Sequence, residues 1–174
     1  NEKYAISLFC LKLYPGEPKR GRRNLFQTIE GLDRTTPRGG TGLLAIADQV
    51  ESLLKTTSLV VLISDLLGDT DDVLSSIYRL SGHELVVIQV LAPAETEMPF
   101  GGDIKFVDLE SNLPLITRVT EQERQEYLRR ITEHNDRIRA ACSQVGADYF
   151  LVKTDRPIFE AFSEMLSRTV VRKA

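Results

Sequence analysis

Two residues combine the right chemical type with the right placement to do chemistry. Asp65 directly follows the apolar run "LVVLIS", residues 59–64. A carboxylate at the end of a buried strand must be solvated, hydrogen-bonded or bound to a cation. Hard cations such as Mg²⁺ take oxygen ligands from one or two carboxylates together with hydroxyls and water. Thr41, in "RGGTGLLAIA" at residues 38–47, offers a hydroxyl. A plainer reading stays open beside this one. Thr41 caps the helix that follows it, and Asp65 accepts from backbone amides of the next turn.

Other candidates are weaker. The glycines of "RGGTG" suit an anion at a helix start, but neither G-x-x-x-x-G-K-[ST] nor a G-x-G-x-x-G after the first strand is present. "KRGRR", residues 19–23, is the single basic cluster and reads as a solvated loop, because no aromatics interleave. "DLLGDTDD" fails the EF-hand spacing and reads as a capped helix start. His83 lies in the turn "SGHE" and His134 in the polar part of a long helical stretch. Both read as exposed rather than catalytic. No Ser or Cys nucleophile sits in a recognisable motif, and no His/Cys ligand spacing occurs.

Alternating elements must position these residues. The run 4–14, "YAISLFCLKLY", is apolar on both alternating faces and predicts one buried strand. Asn24 predicts the cap of a short helix carrying Leu25, Phe26, Ile29 and Leu32. After residues 38–42, Leu43, Ile46, Ala47, Val50, Leu53 and Leu54 recur at helical spacing. Residues 58–64 predict a central parallel strand. Asp69 predicts a helix cap with Asp71 and Asp72 in the first turn and Val73, Leu74, Ile77 and Leu80 inward. "ELVVIQVL" is a second buried strand. Two short strands follow, around residues 104–108 and 113–117, joined by the polar turn "ESN". Thr120 and Glu123 form a capping box for a helix reaching about Val145, where Gly146 ends it. "DYFLVKT" is the last strand, and Asp155 and Pro157 open a final helix with Ile158, Phe162, Met165 and Leu166 buried. Strands alternating with helices predict an α/β layered fold with a mostly parallel sheet.

Bulk properties narrow the classes. A chain of 174 residues, 42% hydrophobic and 27% charged, carries enough apolar material for a core and fits one domain. A net charge of −3 argues against nucleic acid or an anionic membrane as partner. Cys10 and Cys142 both read as small buried residues in a reducing, cytoplasmic compartment, not as a disulfide framework. No apolar run reaches the roughly 18 residues of a membrane span. The first residue is Asn1 rather than Met, so a processed chain or a piece of a longer protein is expected.

The segments "LVVLISDLLGD", "GHELVVIQVLAPAETEMPFGG", "FVDLESN" and "DYFLVKTDRPIFEAF" resemble the C-terminal part of the domain-of-unknown-function family numbered fifty-eight. These are bacterial von Willebrand factor A-like proteins commonly encoded beside MoxR-type AAA+ ATPases. The similarity runs from about Tyr4 to Phe162, and "APAETEMPFGG" is its most specific block. The resemblance implies a von Willebrand A-like sheet flanked by helices. It also implies a metal-ion-dependent adhesion site, with Thr41 and Asp65 matching its second and third loops. The first loop, Asp-x-Ser-x-Ser, is absent from this sequence. The strand near Tyr4 resembles the family's second strand, so the first central strand and its helix are expected upstream of Asn1.

The expected domain is therefore a single von Willebrand A-like unit, N-terminally incomplete over residues 1–174. Its sheet should have open edges that another copy, an exchanged strand or an absent segment must close. The leading functional expectation is a non-enzymatic protein-interaction domain working with an AAA+ ATPase in protein maturation or complex assembly. Mg²⁺ or Mn²⁺ would bridge to a partner carboxylate when the upstream loop is present, and a membrane tether would come from segments outside this sequence. The competing expectation is a Mg²⁺-dependent phosphatase-like or nucleotide-binding enzyme.

Overall fold

The computed structural model describes residues 3–10, 12–34, 42–107 and 114–172. The predicted loop at 38–41, including Thr41, and the turn "ESN" at 110–112 lie outside the described residues. In chain order the elements are β1 (Leu8–Phe9), β2 (Leu13–Tyr14), α1 (Arg22–Asp33), α2 (Leu43–Leu53), β3 (Leu59–Ser64), α3 (Thr70–Arg79) and β4 (Glu84–Leu91). They continue with α4 (Pro93–Glu97), β5 (Gly102–Val107), β6 (Pro114–Val119), α5 (Glu121–Val145), β7 (Asp148–Lys153) and α6 (Ile158–Arg172). The fold is α/β: a three-stranded parallel sheet, ordered β3-β4-β7, flanked by helices.

In-register pairing divides this sheet into two faces. Leu62 lies beside Val87 and Val87 beside Tyr149, while Ile63 lies beside Ile88 and Ile88 beside Phe150. The first face carries the core. Leu62, Leu85 and Val87 pack there with Leu43 and Ala47 of α2, Val73 and Ile77 of α3, and Ile138, Ala141 and Cys142 of α5. On the other face α6 covers the β7 side, burying Ala161 and Phe150. The β3 side of that face stays open, with Leu59, Val61 and Ile63 at 61%, 47% and 57% exposure.

Local signals explain the helix ends. The Asp69 carboxylate accepts from the amides of Asp71 (3.0 Å) and Asp72 (3.1 Å), with both acidic side chains in the first turn of α3. The Thr120 hydroxyl accepts from the Glu123 amide at 3.2 Å, and the Glu123 carboxylate accepts from the Thr120 amide at 2.8 Å. That reciprocal capping box holds the Glu123 carboxyl below its usual range, chiefly through the backbone hydrogen bond. Gly146 takes the left-handed conformation, φ 75°, that closes α5.

Four expectations are corrected. The run 4–14 is not one buried strand. It doubles back into the antiparallel β1–β2 pair, leaving Ile6, Leu8 and Tyr14 exposed and Cys10 only half-buried. The reversal closes locally through the Tyr4–Lys19 bridge (Tyr4 amide to Lys19 carbonyl, 3.0 Å) and a Gly16 approach so near the Ile6 carbonyl that no Cβ fits. Short loops close cheaply, so local pairing satisfies the backbone without a central sheet position. Second, α1 starts at Arg22 after Gly21. Asn24 lies inside its first turn, donating to the Arg20 carbonyl at 2.7 Å rather than capping. Third, β3 is an edge strand, not a central one, among the described residues. Fourth, α6 packs through Ala161 and half-buried Met165, while Ile158, Phe159, Phe162 and Leu166 face outward.

Cys142 gives a direct check on the core. Burial pushes its thiol up to about 11, so it stays protonated and inaccessible at pH 8. Alkylation by iodoacetamide at that pH is expected at Cys142 only after denaturation. Rapid native-state labelling there would contradict this packing.

Candidate functional site

The C-terminal ends of parallel strands are where open α/β sheets gather functional groups. Here β3 delivers Asp65 to that end. Its exposed carboxylate accepts from the Leu67 amide (3.3 Å) and the Ser64 hydroxyl (3.3 Å), closing an Asx-type turn. The Ser64 oxygen in turn accepts from the Leu66 amide at 3.2 Å. Leu66 itself adopts φ 56°, uncommon for a branched residue, with its side chain in the core. This is the turn role that the plainer reading gave Asp65.

Under this loop lies a buried polar network. The Gln89 side chain is fully buried. Its amide donates to the Asp65 carbonyl (2.9 Å) and to Asn135 Oδ1 (3.0 Å), and its oxygen accepts from the Tyr149 hydroxyl at 2.6 Å. Both hydrogens and the carbonyl of the amide are thus used, which a buried polar group requires. Burial pushes the Tyr149 hydroxyl up to about 12, so it remains a donor at neutral pH. The Arg139 guanidinium lies over the Tyr149 ring, 5.5 Å from its centre.

Both histidines are half-buried and bonded, correcting the expectation that they are exposed. His134 Nε2 meets the Leu66 carbonyl at 2.7 Å and its Nδ1 meets the Thr70 hydroxyl at 2.8 Å. At the opposite end of the sheet, His83 Nδ1 accepts from the Ser58 amide (3.3 Å) while Nε2 meets Glu51 Oε2 at 3.0 Å, tying α2 to the strand starts. Sequence reasoning missed the Gln89–Asn135 pair, although signals were present. Gln89 is the lone uncharged polar residue inside "ELVVIQVL", and Asn135 interrupts the apolar stripe Ile131–Ile138–Cys142 of α5.

Asp65 is the one expected metal ligand among the described residues, since Thr41 lies outside them. Among the described residues, no group of three or more His, Cys, Asp or Glu side chains converges as a metal site. Asp65 contributes one exposed carboxylate, which the Leu67 amide and the Ser64 hydroxyl already engage. A cavity of about 240 Å³ between the N-terminal hairpin and α1, where Tyr4 and Leu8 line the wall, does not include Asp65.

Comparison with known proteins places the chain. Residues 5–137 match the family described as "Protein of unknown function DUF58". The chain belongs to that family. This DUF58 chain is 27% identical over 143 residues to the uncharacterized protein MAV169 of Mycobacterium avium, covering 80% of the chain and 85% of the relative. It is 26% identical over 139 residues to the uncharacterized protein Rv1480 of Mycobacterium tuberculosis, covering 79% of the chain but only 44% of that relative. A solved structure, the conserved hypothetical protein BatB from Bacteroides thetaiotaomicron, aligns over 100% of this chain and 81% of its own with a TM-score of 0.50 and 13% identity. That likeness shows a shared fold. Among the described residues no helix is long and apolar enough to cross a membrane.

The two kinds of polar residue at this end should respond differently to mutation. Gln89→Leu leaves the Asp65 carbonyl, Asn135 and the Tyr149 hydroxyl without their buried partner, and should cost about 2–3 kcal/mol in denaturant unfolding. Asp65→Ala, at an exposed turn, should cost roughly 0.5–1 kcal/mol. Equal losses would contradict the distinction between a structural network and an exposed group.

Proposed function

We propose that this domain is a non-enzymatic protein-interaction module that recruits its partner along β3. The observation that carries this is the open side of that strand. Among the described residues no strand pairs with the outer edge of β3, and Leu59, Val61 and Ile63 project from one face into solvent. An unpaired backbone edge beside an exposed apolar row is a template for an added strand. Edge strands that must stay single usually carry a charge or proline, and "LVVLIS" carries neither. The occupant that fits is an extended protein segment adding to β3, with apolar side chains that cover the row.

The von Willebrand A-like resemblance supports placing this module in a MoxR-type AAA+ ATPase system acting in protein maturation or complex assembly. Asp65 lies at the end of the same strand and would face the partner's flank. A divalent cation bridging there, Mg²⁺ or Mn²⁺, would need the Thr41 hydroxyl and further ligands beyond the described residues.

Sedimentation velocity across a range of concentrations tests the reading on these 174 residues. The chain should self-associate through β3, and Val61→Lys should shift it toward monomer while leaving its circular dichroism unchanged. Binding to a MoxR-type ATPase, read by calorimetry, should be lost in the same variant. A wild-type chain that stays monomeric throughout and a Val61→Lys chain that binds the ATPase as well as wild type would sink the proposal.

A further inference from the structure

We propose that α5 sets the conformation of the Asp65 loop, with His134 and Asn135 as positioning residues that act on its main chain. The inference rests on the interaction reading for what the loop presents, but not for how the loop is held.

Two consecutive carbonyls of the loop are gripped from the core side. The Asp65 carbonyl accepts from Gln89 Nε2 at 2.9 Å, and Asn135 holds that amide through its Oδ1 at 3.0 Å. The Leu66 carbonyl accepts from His134 Nε2 at 2.7 Å. His134 and Asn135 are neighbours on α5, so one turn of one helix governs both carbonyls. A carbonyl only accepts, so Nε2 carries the imidazole hydrogen. With the hydrogen on Nε2, the Nδ1 of that tautomer accepts from the Thr70 hydroxyl at 2.8 Å. Thr70 is the first residue of α3. A single imidazole therefore joins both ends of the loop between β3 and α3 to α5.

The backbone at Leu66 explains why so many attachments meet here. Its left-handed φ of 56° is strained for a residue with a branched side chain. Such a conformation persists when the surroundings over-determine it. Leu66 is held at three points: its side chain in the core cluster, its amide on the Ser64 hydroxyl (3.2 Å), and its carbonyl on His134. Fixing the Asp65–Leu66 and Leu66–Leu67 peptides on either side of the Leu66 Cα fixes the path by which the chain leaves the sheet after Asp65. The Asx turn at Leu67 then forms against a pre-set backbone.

The test reads the loop itself. Residue-resolved amide exchange is measured in wild type, His134→Ala and His134→Gln. In His134→Ala the Leu66 and Leu67 amides should exchange about tenfold faster, as the loss of one hydrogen bond predicts, while Val87 and Ile138 keep their protection. His134→Gln, whose side-chain amide can donate to the same carbonyl, should restore most of the protection. Independently of any variant, the imidazole ¹⁵N shifts of the unmutated chain should report the Nε2–H tautomer. Unchanged loop exchange in His134→Ala, an equal rise throughout the core, no rescue by Gln, or an Nδ1–H tautomer would overturn the assignment. Failure of β3 to bind a partner would show only in the association experiments and would leave these readouts untouched.

Discussion

One constraint governs this molecule: a parallel strand that is apolar on both faces needs cover on both, and among the described residues β3 has cover on one. Parallel sheets are stable when helices shield each face, because both sets of side chains are hydrophobic. The inner face meets that demand through α2, α3 and α5, whose Leu43, Ile77 and Ile138 close over Leu62 and Val87. Among the described residues the outer face meets it beside β7, through α6. At roughly 25 cal/mol per Å² of buried apolar surface, an uncovered row of Leu, Val and Ile is a substantial unused driving force. Recruitment of a partner segment is the direct way to use it.

The polar centre of the structure follows from the same geometry. Where the strands end, the chain must leave the sheet and enter α3 without exposing the core. It does so by a tight turn through Leu66, strained at the backbone and buried at the side chain. Gln89, Asn135 and His134 anchor that turn from β4 and α5, so the surface that displays Asp65 is coupled to the longest helix. Such fully satisfied networks in a low-dielectric interior impose one arrangement where apolar packing alone would permit several.

Local chemistry was legible in the sequence; long-range arrangement was not. Asp69, Thr120 with Glu123, and Gly146 announce helix ends because capping is decided by residues three or four apart. The strands β3, β4 and β7, and the strands β5 and β6, follow from runs of apolar and β-branched residues. Strand order is different. "LVVLIS" reads the same at the centre of a sheet as at an edge, since what pairs with it is set by distant segments. The N-terminal run likewise carries strand composition, yet Gly16 and Lys19 fold it onto itself. At the candidate site, Asp65 was identifiable from its place after an apolar run. The histidine that fixes its loop lies 68 residues from Leu66, a separation that no local pattern conveys.

The most direct measurement is the amide exchange of β3 by NMR in the chain alone. A strand paired on one side only donates every other amide to its neighbour. In the monomeric Val61→Lys chain, where self-association through β3 is suppressed, the account predicts alternating slow and fast amides from position 59 to Ser64, with the slow set bonded to β4. Uniform protection of all these amides in the monomeric chain would mean that another segment already occupies the outer edge, and would contradict β3 as the open recruiting surface.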